Sequence, residues 1–307
     1  MTWATRVSSA LSTRLIRCLG LNMTVYNWST LTNNQQIAFN PSTDKLTFDS
    51  SSISATSLYI WWSNTVSTTF IYGSQTVTLL TDVRSISTSN VSFANGSLLI
   101  IGDNTIGTIT DDTANSLTGS SNNDALYGLG GNDIISAGAG NDSIQIGYAY
   151  GGVGNDTIDG GEGSDSLIYI SDNMSTPAVT VNLANHMATS LQGTLTLSSI
   201  EAVFGTNQND SFSGGDLSHG LNSLGNITSE KFWGGPGNDT IIGAANSDIP
   251  AIADYSNKVS NQIVIADLKT GFVIDGLGGI DTLFNVREIR GGVGNDQLTG
   301  GGAYSIN

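Results

Sequence analysis

Aspartates recur at a fixed interval through the middle of this chain. Asp124, Asp133 and Asp142 are nine residues apart, and Asp156 and Asp165 repeat the interval after five extra residues, Ile146 to Tyr150. Each sits behind small or amide residues and has an apolar residue two places on. The clearest stretch is 151–168, GGVGNDTIDGGEGSDSLI, two nine-residue units of the form Gly-Gly-x-Gly-x-Asp-x-apolar-x. Carboxylates set among accessible glycine carbonyls are hard oxygen ligands. They suit calcium, which takes about six to eight oxygens in flexible geometry, better than magnesium, which demands a strict octahedron. Zinc would want histidine or cysteine, and the chain has 2 His and 1 Cys.

The spacing dictates what must position these groups. The first six residues of a unit read as a tight loop. Glycine supplies positive φ, and asparagine, which tolerates left-handed backbone, fills the place before the aspartate. The last three residues read as a short strand with the apolar side chain inward. Two units make one turn of a flattened coil, so loops 18 residues apart, such as those of Asp124 and Asp142, stack on one edge at about 4.8 Å. Two carboxylates about 5 Å apart repel by roughly 3 kcal/mol at an effective dielectric of 20; a divalent cation reverses that sign. With a dissociation constant near 10⁻⁴ M, about 1 mM calcium adds roughly 1.4 kcal/mol per site, and submicromolar calcium adds almost none. Folding is therefore expected to be calcium-switched.

The units do not stop at 168. GSSNNDALY (119–127), GLGGNDIIS (128–136) and AGAGNDSIQ (137–145) precede the clearest stretch without a gap. GTNQNDSFS at 205, GGPGNDTII at 234, GLGGIDTLF at 276 and GGVGNDQLT at 291 follow it, and a worn copy carries Asp248. The units at 205 and 276 have no partner 18 residues away and read as candidates for metal-free turns. A longer repeat is superimposed. GGVGNDTIDGGEGSD at 151 matches GGPGNDTIIGAANSD at 234, and LSSIEAVFGTNQND at 197 matches LFNVREIRGGVGND at 283. This gives two copies of a module, 151–213 and 234–299, joined by a linker around 214–233.

Charge and glycine divide the chain near residue 116. Residues 1–115 carry 6 acids, 5 bases and 5 glycines, and the remainder carries 20 acids, 5 bases and 33 glycines. Such acidity excludes nucleic acid and anionic membrane as partners, and no apolar run is long enough for a membrane span. One cysteine, Cys18, excludes an intramolecular disulfide. Residues 1–22 hold three of the ten basic residues and read as a leader outside the fold, with Met23 as the natural start. Residues 23–115 read as a small antiparallel β-sandwich or capping β-domain, with strand-like runs at Gln36–Phe39, Lys45–Phe48, Leu58–Trp62, Thr68–Tyr72, Thr76–Leu80 and Ser97–Ile101. In Trp61-Trp62 one ring is expected in the core and the other outside, where it could stack on a sugar. The whole is then all-β: a cap followed by a parallel β-roll over 116–307, contiguous in repeats over 119–168. The ending GGAYSIN is abrupt for a roll and reads either as a cut from something longer or as an end that another subunit covers.

Residues 119–168 and the units at 205, 234, 276 and 291 resemble the RTX (hemolysin-type) calcium-binding nonapeptide family. The resemblance implies a secreted, extracellular or cell-surface protein, exported by a bacterial type I route and folded by several calcium ions outside. It marks the loop aspartates and the glycine carbonyls before them as ligands. These are Asp124; Gly131 and Asp133; Gly140 and Asp142; Gly152, Gly154 and Asp156; Gly161, Gly163 and Asp165; Asp210; Gly235, Gly237 and Asp239; Asp281; and Gly292, Gly294 and Asp296. Ser120, Asn122 and Gln208 replace glycine in their loops, and Pro250 takes the apolar place after Asp248, so full occupancy is not expected there. No HExxH or GxSxG is present, and the two histidines, His186 and His219, read as a strand-end residue and a loop residue. The expectation is a non-enzyme: a structural, self-assembling surface protein, or a calcium-dependent adhesin that binds cell-surface glycans, or the non-catalytic part of a larger RTX toxin or enzyme.

Overall fold

Strands of two to six residues cannot stand alone and must pair with neighbours in a larger sheet. The computed structural model describes residues 23–63, 66–147, 154–169, 176–215, 229–244, 250–256, 262–300 and 305–306. Asp248, His219, Gly152 and the leader lie outside them. Among the described residues, apart from three single-turn 3-10 helices, the regular structure is all strand. No helix among the described residues is long and apolar enough to cross a membrane.

The N-terminal part contains β1 (Val25–Asn27), β2 (Gln35–Ile37), β3 (Lys45–Phe48), β4 (Tyr59–Ser63), β5 (Ser67–Tyr72), β6 (Gln75–Leu79), β7 (Val91–Phe93) and β8 (Leu99–Ile101). β1, β3 and β7 pair in parallel, as do β2 and β6. Only β4, β5 and β6 form an antiparallel meander. Of the two expected forms, the structure takes the capping β-domain, built as a short coil and not as an antiparallel sandwich, because the chain crosses to the facing sheet between β1 and β3. Trp28, Phe48, Phe70 and Phe93 fill its core, with the rings of Phe48 and Phe93 stacked 4.7 Å apart. That core continues through Ile101 onto Tyr127, so the cap covers the first edge of the roll.

The roll begins with β9 (Ser116–Thr118), β10 (Ala125–Leu129), β11 (Ile134–Ser136), β12 (Ala139–Gly140), β13 (Ser143–Ile146), β14 (Thr157–Asp159), β15 (Glu162–Gly163) and β16 (Ser166–Tyr169). It continues through β17 (Val179–Asn182), β18 (Met187–Ser190), β19 (Gly193–Ser198), β20 (Ala202–Phe204), β21 (Ser211–Ser213), β22 (Glu230–Trp233), β23 (Thr240–Ile242) and β24 (Ala251–Asp254). The last strands are β25 (Ile265–Asp267), β26 (Phe272–Ile274), β27 (Ile280–Phe284), β28 (Glu288–Arg290), β29 (Gln297–Thr299) and β30 (Ser305–Ile306).

Two long sheets result. Sheet I runs β8-β10-β13-β16-β20-β22-β24-β28-β30, and every pair in it is parallel. Sheet II runs β9-β11-β14-β19-β18-β17-β21-β23-β27-β26-β25-β29. The apolar residue after each loop acid points between them: Ile135, Ile144, Ile158, Leu167, Val203, Phe212, Phe232, Ile241 and Leu283 all belong to one buried cluster. Each such residue contributes on the order of 1.5–3 kcal/mol by leaving water.

Twice, one pass through sheet II is expanded into three strands. In β17-β18-β19 the last strand lies parallel to β14 and the first parallel to β21. In β25-β26-β27 the last lies parallel to β23 and the first parallel to β29. Residues 230–233, read from sequence as linker, are instead strand β22, because Phe232 fills the inward apolar place.

Candidate metal centre

The roll stacks its acids into ladders on two opposite edges. Loops entering sheet I carry Asp124, Asp142 and Asp165. Loops entering sheet II carry Asp133, Asp156, Asp210 and Asp239, strand β27 itself carries Asp281, and all eight side chains are buried. In each contact one carboxylate oxygen accepts the N–H of the acid one rung earlier. Asp124 N donates to Asp142 Oδ1 at 2.7 Å and Asp142 N to Asp165 Oδ1 at 2.8 Å. Asp133 N donates to Asp156 Oδ1 at 2.8 Å. Asp210 N and Asp239 N donate to Asp239 Oδ1 and Asp281 Oδ1, each at 2.8 Å. Sequence alone had left the units at 205 and 276 without partners. The coil partners them at separations of 29 and 42 residues, since insertions elsewhere on a turn do not disturb the edge.

Asparagines run beside the acids in the opposite sense. Asn141 N donates to Asn123 Oδ1, Asn155 N to Asn132 Oδ1, and Asn238 N to Asn209 Oδ1. None of these asparagines has a positive φ. The left-handed role expected for them is therefore wrong: their side chains bridge successive loops.

Glycine supplies the close approach. Gly131, Gly140, Gly161, Gly163, Gly235 and Gly237 all have positive φ. A methyl group on Gly154, Gly163 or Gly161 would collide with the carbonyl oxygen of Gly131, Gly140 or Gly138 one rung earlier. Only glycine lets those oxygens stack along the edge.

The second oxygen of each acid sorts the loops into two kinds. Asp133, Asp142, Asp165 and Asp239 each bury an Oδ2 with no hydrogen-bond partner. In three other acids that oxygen is met by a protein donor. Asp124 accepts from the backbone and hydroxyl of Ser120. Asp210 Oδ2 accepts the N–H of Thr206 at 2.6 Å and its hydroxyl at 3.1 Å. Asp281 Oδ2 accepts the hydroxyl of Tyr255 at 2.9 Å. Burial raises Asp133 and Asp142 to about 7 and Asp165 to about 6, with neighbouring acids adding in each case. Burial pushes Asp239 to about 8, with Asp281, Asp210 and Asp275 adding to it.

A buried anionic oxygen without a donor is costly, and here it stands beside stacked carbonyls. Among the described residues no three side chains of His, Cys, Asp or Glu are grouped to hold an ion. The loop acids and the carbonyls beside them offer oxygen donors alone, a set that suits calcium and not zinc. The model of the RTX calcium-binding nonapeptide repeat matches in four copies, at residues 109–144, 148–168, 224–249 and 288–303. The chain carries RTX calcium-binding repeats. No curated protein matches it.

The RTX matches extend past the units legible by eye. The copy at 224–249 includes Glu230, and Glu201 takes the rung after Asp165 in the sheet I ladder. Asp165 N donates to Glu201 Oε2 at 2.8 Å, and Gly215 N donates to Glu230 Oε1 at 2.6 Å. Both are buried acids two residues before an inward apolar residue, Val203 or Phe232. That spacing was available in the sequence, but the acid is glutamate and glycine is missing before it. Asp275, fully buried outside the nonapeptide register, carried no such signal. At the far end Asp296 Oδ1 accepts the N–H of Val264 at 2.9 Å, and Gly292 and Gly294 lie half-buried in its loop.

Proposed function

We propose that this chain is a calcium-folded structural component of an exported assembly, acting outside the cell or at its surface by association with copies of itself, and not as an enzyme. The observation that supports the reading is that four of the nonapeptide acids, Asp133, Asp142, Asp165 and Asp239, each bury a carboxylate oxygen without a donor. Calcium, when bound, supplies the positive charge and oxygen coordination that these groups lack. The chain's own residues do the rest. Glycines bring the loops together, asparagines register them, and the inward Ile, Leu and Phe side chains bury apolar surface only once the loops can stack. Where calcium is submicromolar the stacked acids repel and the roll stays open. Far-UV circular dichroism during a calcium titration tests this, with chelator reversal and magnesium as control. A calcium-specific gain of β signal is expected; the same β content in chelator would sink calcium-coupled folding. Electron microscopy for filaments or lattices tests the assembly, and strictly monomeric protein at millimolar calcium would count against it.

A second reading, a calcium-dependent glycan-binding adhesin, is favoured by one feature. Tyr59 and Trp61 stand on one side of β4, 65% and 52% exposed, while Trp62 turns inward against Tyr127 with ring centroids 5.9 Å apart. A glycan array with and without calcium separates the two readings.

A further inference from the structure

The two three-strand meanders occupy the same place in the coil and differ in their acids. The register that pairs Met187 with Thr196 in the first pairs Phe272 with Thr282 in the second. Counting from these pairs, Ser190 and Leu195 of the first meander correspond to Asp275 and Asp281 of the second. The supporting loops correspond too. A methyl on Gly193 would strike Gly154 O, and one on Gly279 would strike Gly237 O. Around Gly154 the first meander gathers Asp156, Tyr169, Ser190, Gln192 and Leu195 about one small cavity, with a single acid among them.

In the second meander Asp275 is fully buried. Its Oδ1 accepts the N–H groups of Leu277, Gly278 and Gly279 at 2.8, 3.1 and 2.8 Å. Its Oδ2 has no hydrogen-bond partner. That oxygen lies 2.8 Å from the point where a Cβ on Gly279 would sit, and Gly237 O lies against the same point. Asp239 Oδ2 is also buried without a donor. Asp281 is not free in this way: its two oxygens take Asp239 N at 2.8 Å and the Tyr255 hydroxyl at 2.9 Å. It holds the loop of Asp239 in place.

We propose that Asp239, Asp275 and the carbonyl oxygen of Gly237 form a calcium site particular to the second meander, with Asp275 as a ligand from outside the nonapeptide. The proposal rests on the calcium reading above. Two carboxylates match the charge of one divalent ion, and the glycine carbonyl supplies the neutral oxygen that calcium accepts. The first meander, with Ser190 in place of Asp275, lacks this site.

Asp275→Asn tests it, since the amide keeps an oxygen for the three backbone donors while removing the charge. Bound calcium is counted by equilibrium dialysis on the full chain, with circular dichroism as the check on folding. The variant should bind one ion fewer than the parent and leave the affinity of the others unchanged. Equal stoichiometry and affinity in the two proteins would overturn the proposal while leaving the calcium reading intact; a parent chain that binds no calcium would overturn both. If Asp275→Asn fails to fold in calcium, Ser190→Asp decides. A gain of one ion supports the site, and an unchanged count overturns it.

Discussion

The two meanders are a controlled comparison within one chain. Both insert three strands into sheet II, both return the last strand to the preceding rung, and both rest on a glycine that abuts the carbonyl below it. One surrounds its loop acid, Asp156, with Tyr169, Gln192 and Leu195. The other sets Asp239 near Asp275 and Asp281, and Tyr255 closes Asp281. The fold tolerates either. What changes is the charge that must be neutralised before the loops can stack, so the demand for cation is written in a few side chains and not in the topology.

Withdrawing calcium at neutral pH should separate the meanders most strongly. Three buried acids repel more than one, so β23, β26 and β27 should lose amide protection at higher residual calcium than β14, β18 and β19. Hydrogen exchange read by mass spectrometry across a chelator series measures this. Coincident loss in the two regions would show that the roll opens as one unit and that the extra acids carry no local effect.

Acidification in chelator should restore what calcium withdrawal removes. Asp133 and Asp142 are raised to about 7 and Asp239 to about 8, from an ordinary 3.8, chiefly by burial. An acid whose folded value exceeds its unfolded one holds more protons when folded, so its contribution is complete below about pH 4 and is lost as pH rises through the folded value. The metal-free roll is therefore expected to keep β signal near pH 5 and lose it between about pH 6 and 8. With calcium present the trend should reverse, because the ion binds the ionised form. The Asp239 rung should be the first to reform on titration from pH 8 downward. Metal-free β content that rises with pH would contradict the burial of these groups.

These expectations depend on features of unequal visibility in the sequence. The spacing of Asp124, Asp133 and Asp142, each followed two residues later by an apolar side chain, makes the parallel roll readable, since strand alternation and loop length leave little else. The partnering of Asp210 with Asp239, and of Asp239 with Asp281, was hidden. A ladder on one edge is blind to residues inserted on the rest of the turn, while a fixed interval in sequence is not. The parallel pairing of β1, β3 and β7 was hidden for a related reason: alternation marks a strand and not the direction of its neighbour. Tyr255 closes Asp281 from 26 residues away, and no local pattern encodes that.

The smallest effect sharpens the distinction between loops that close their own carboxylate and loops that leave it open. In the GTNQND loop the Thr206 hydroxyl reaches Asp210 Oδ1 at 3.0 Å and Oδ2 at 3.1 Å, and it accepts the N–H of Gln208 at 3.1 Å. Thr206→Val keeps the shape and the backbone donor but removes these bonds. Near pH 5 Asp210, raised by burial to about 6, is protonated, and losing these bonds to it costs about 1.5 kcal/mol, the upper end for an uncharged pair. For a roll of this length that is a fall of about 3–6 °C in Tm, measured in chelator at a pH where the metal-free roll is still folded. In millimolar calcium the loss should shrink, because Asp210 then resembles the open acids Asp133 and Asp142 and can be met by the ion in place of the hydroxyl. Serine at position 120 plays the same part for Asp124, so Ser120→Ala should behave alike. An equal loss with and without calcium would mean that the Asp210 rung takes no ion in either form. The hydroxyl would then be a permanent substitute for the cation and not a competitor with it.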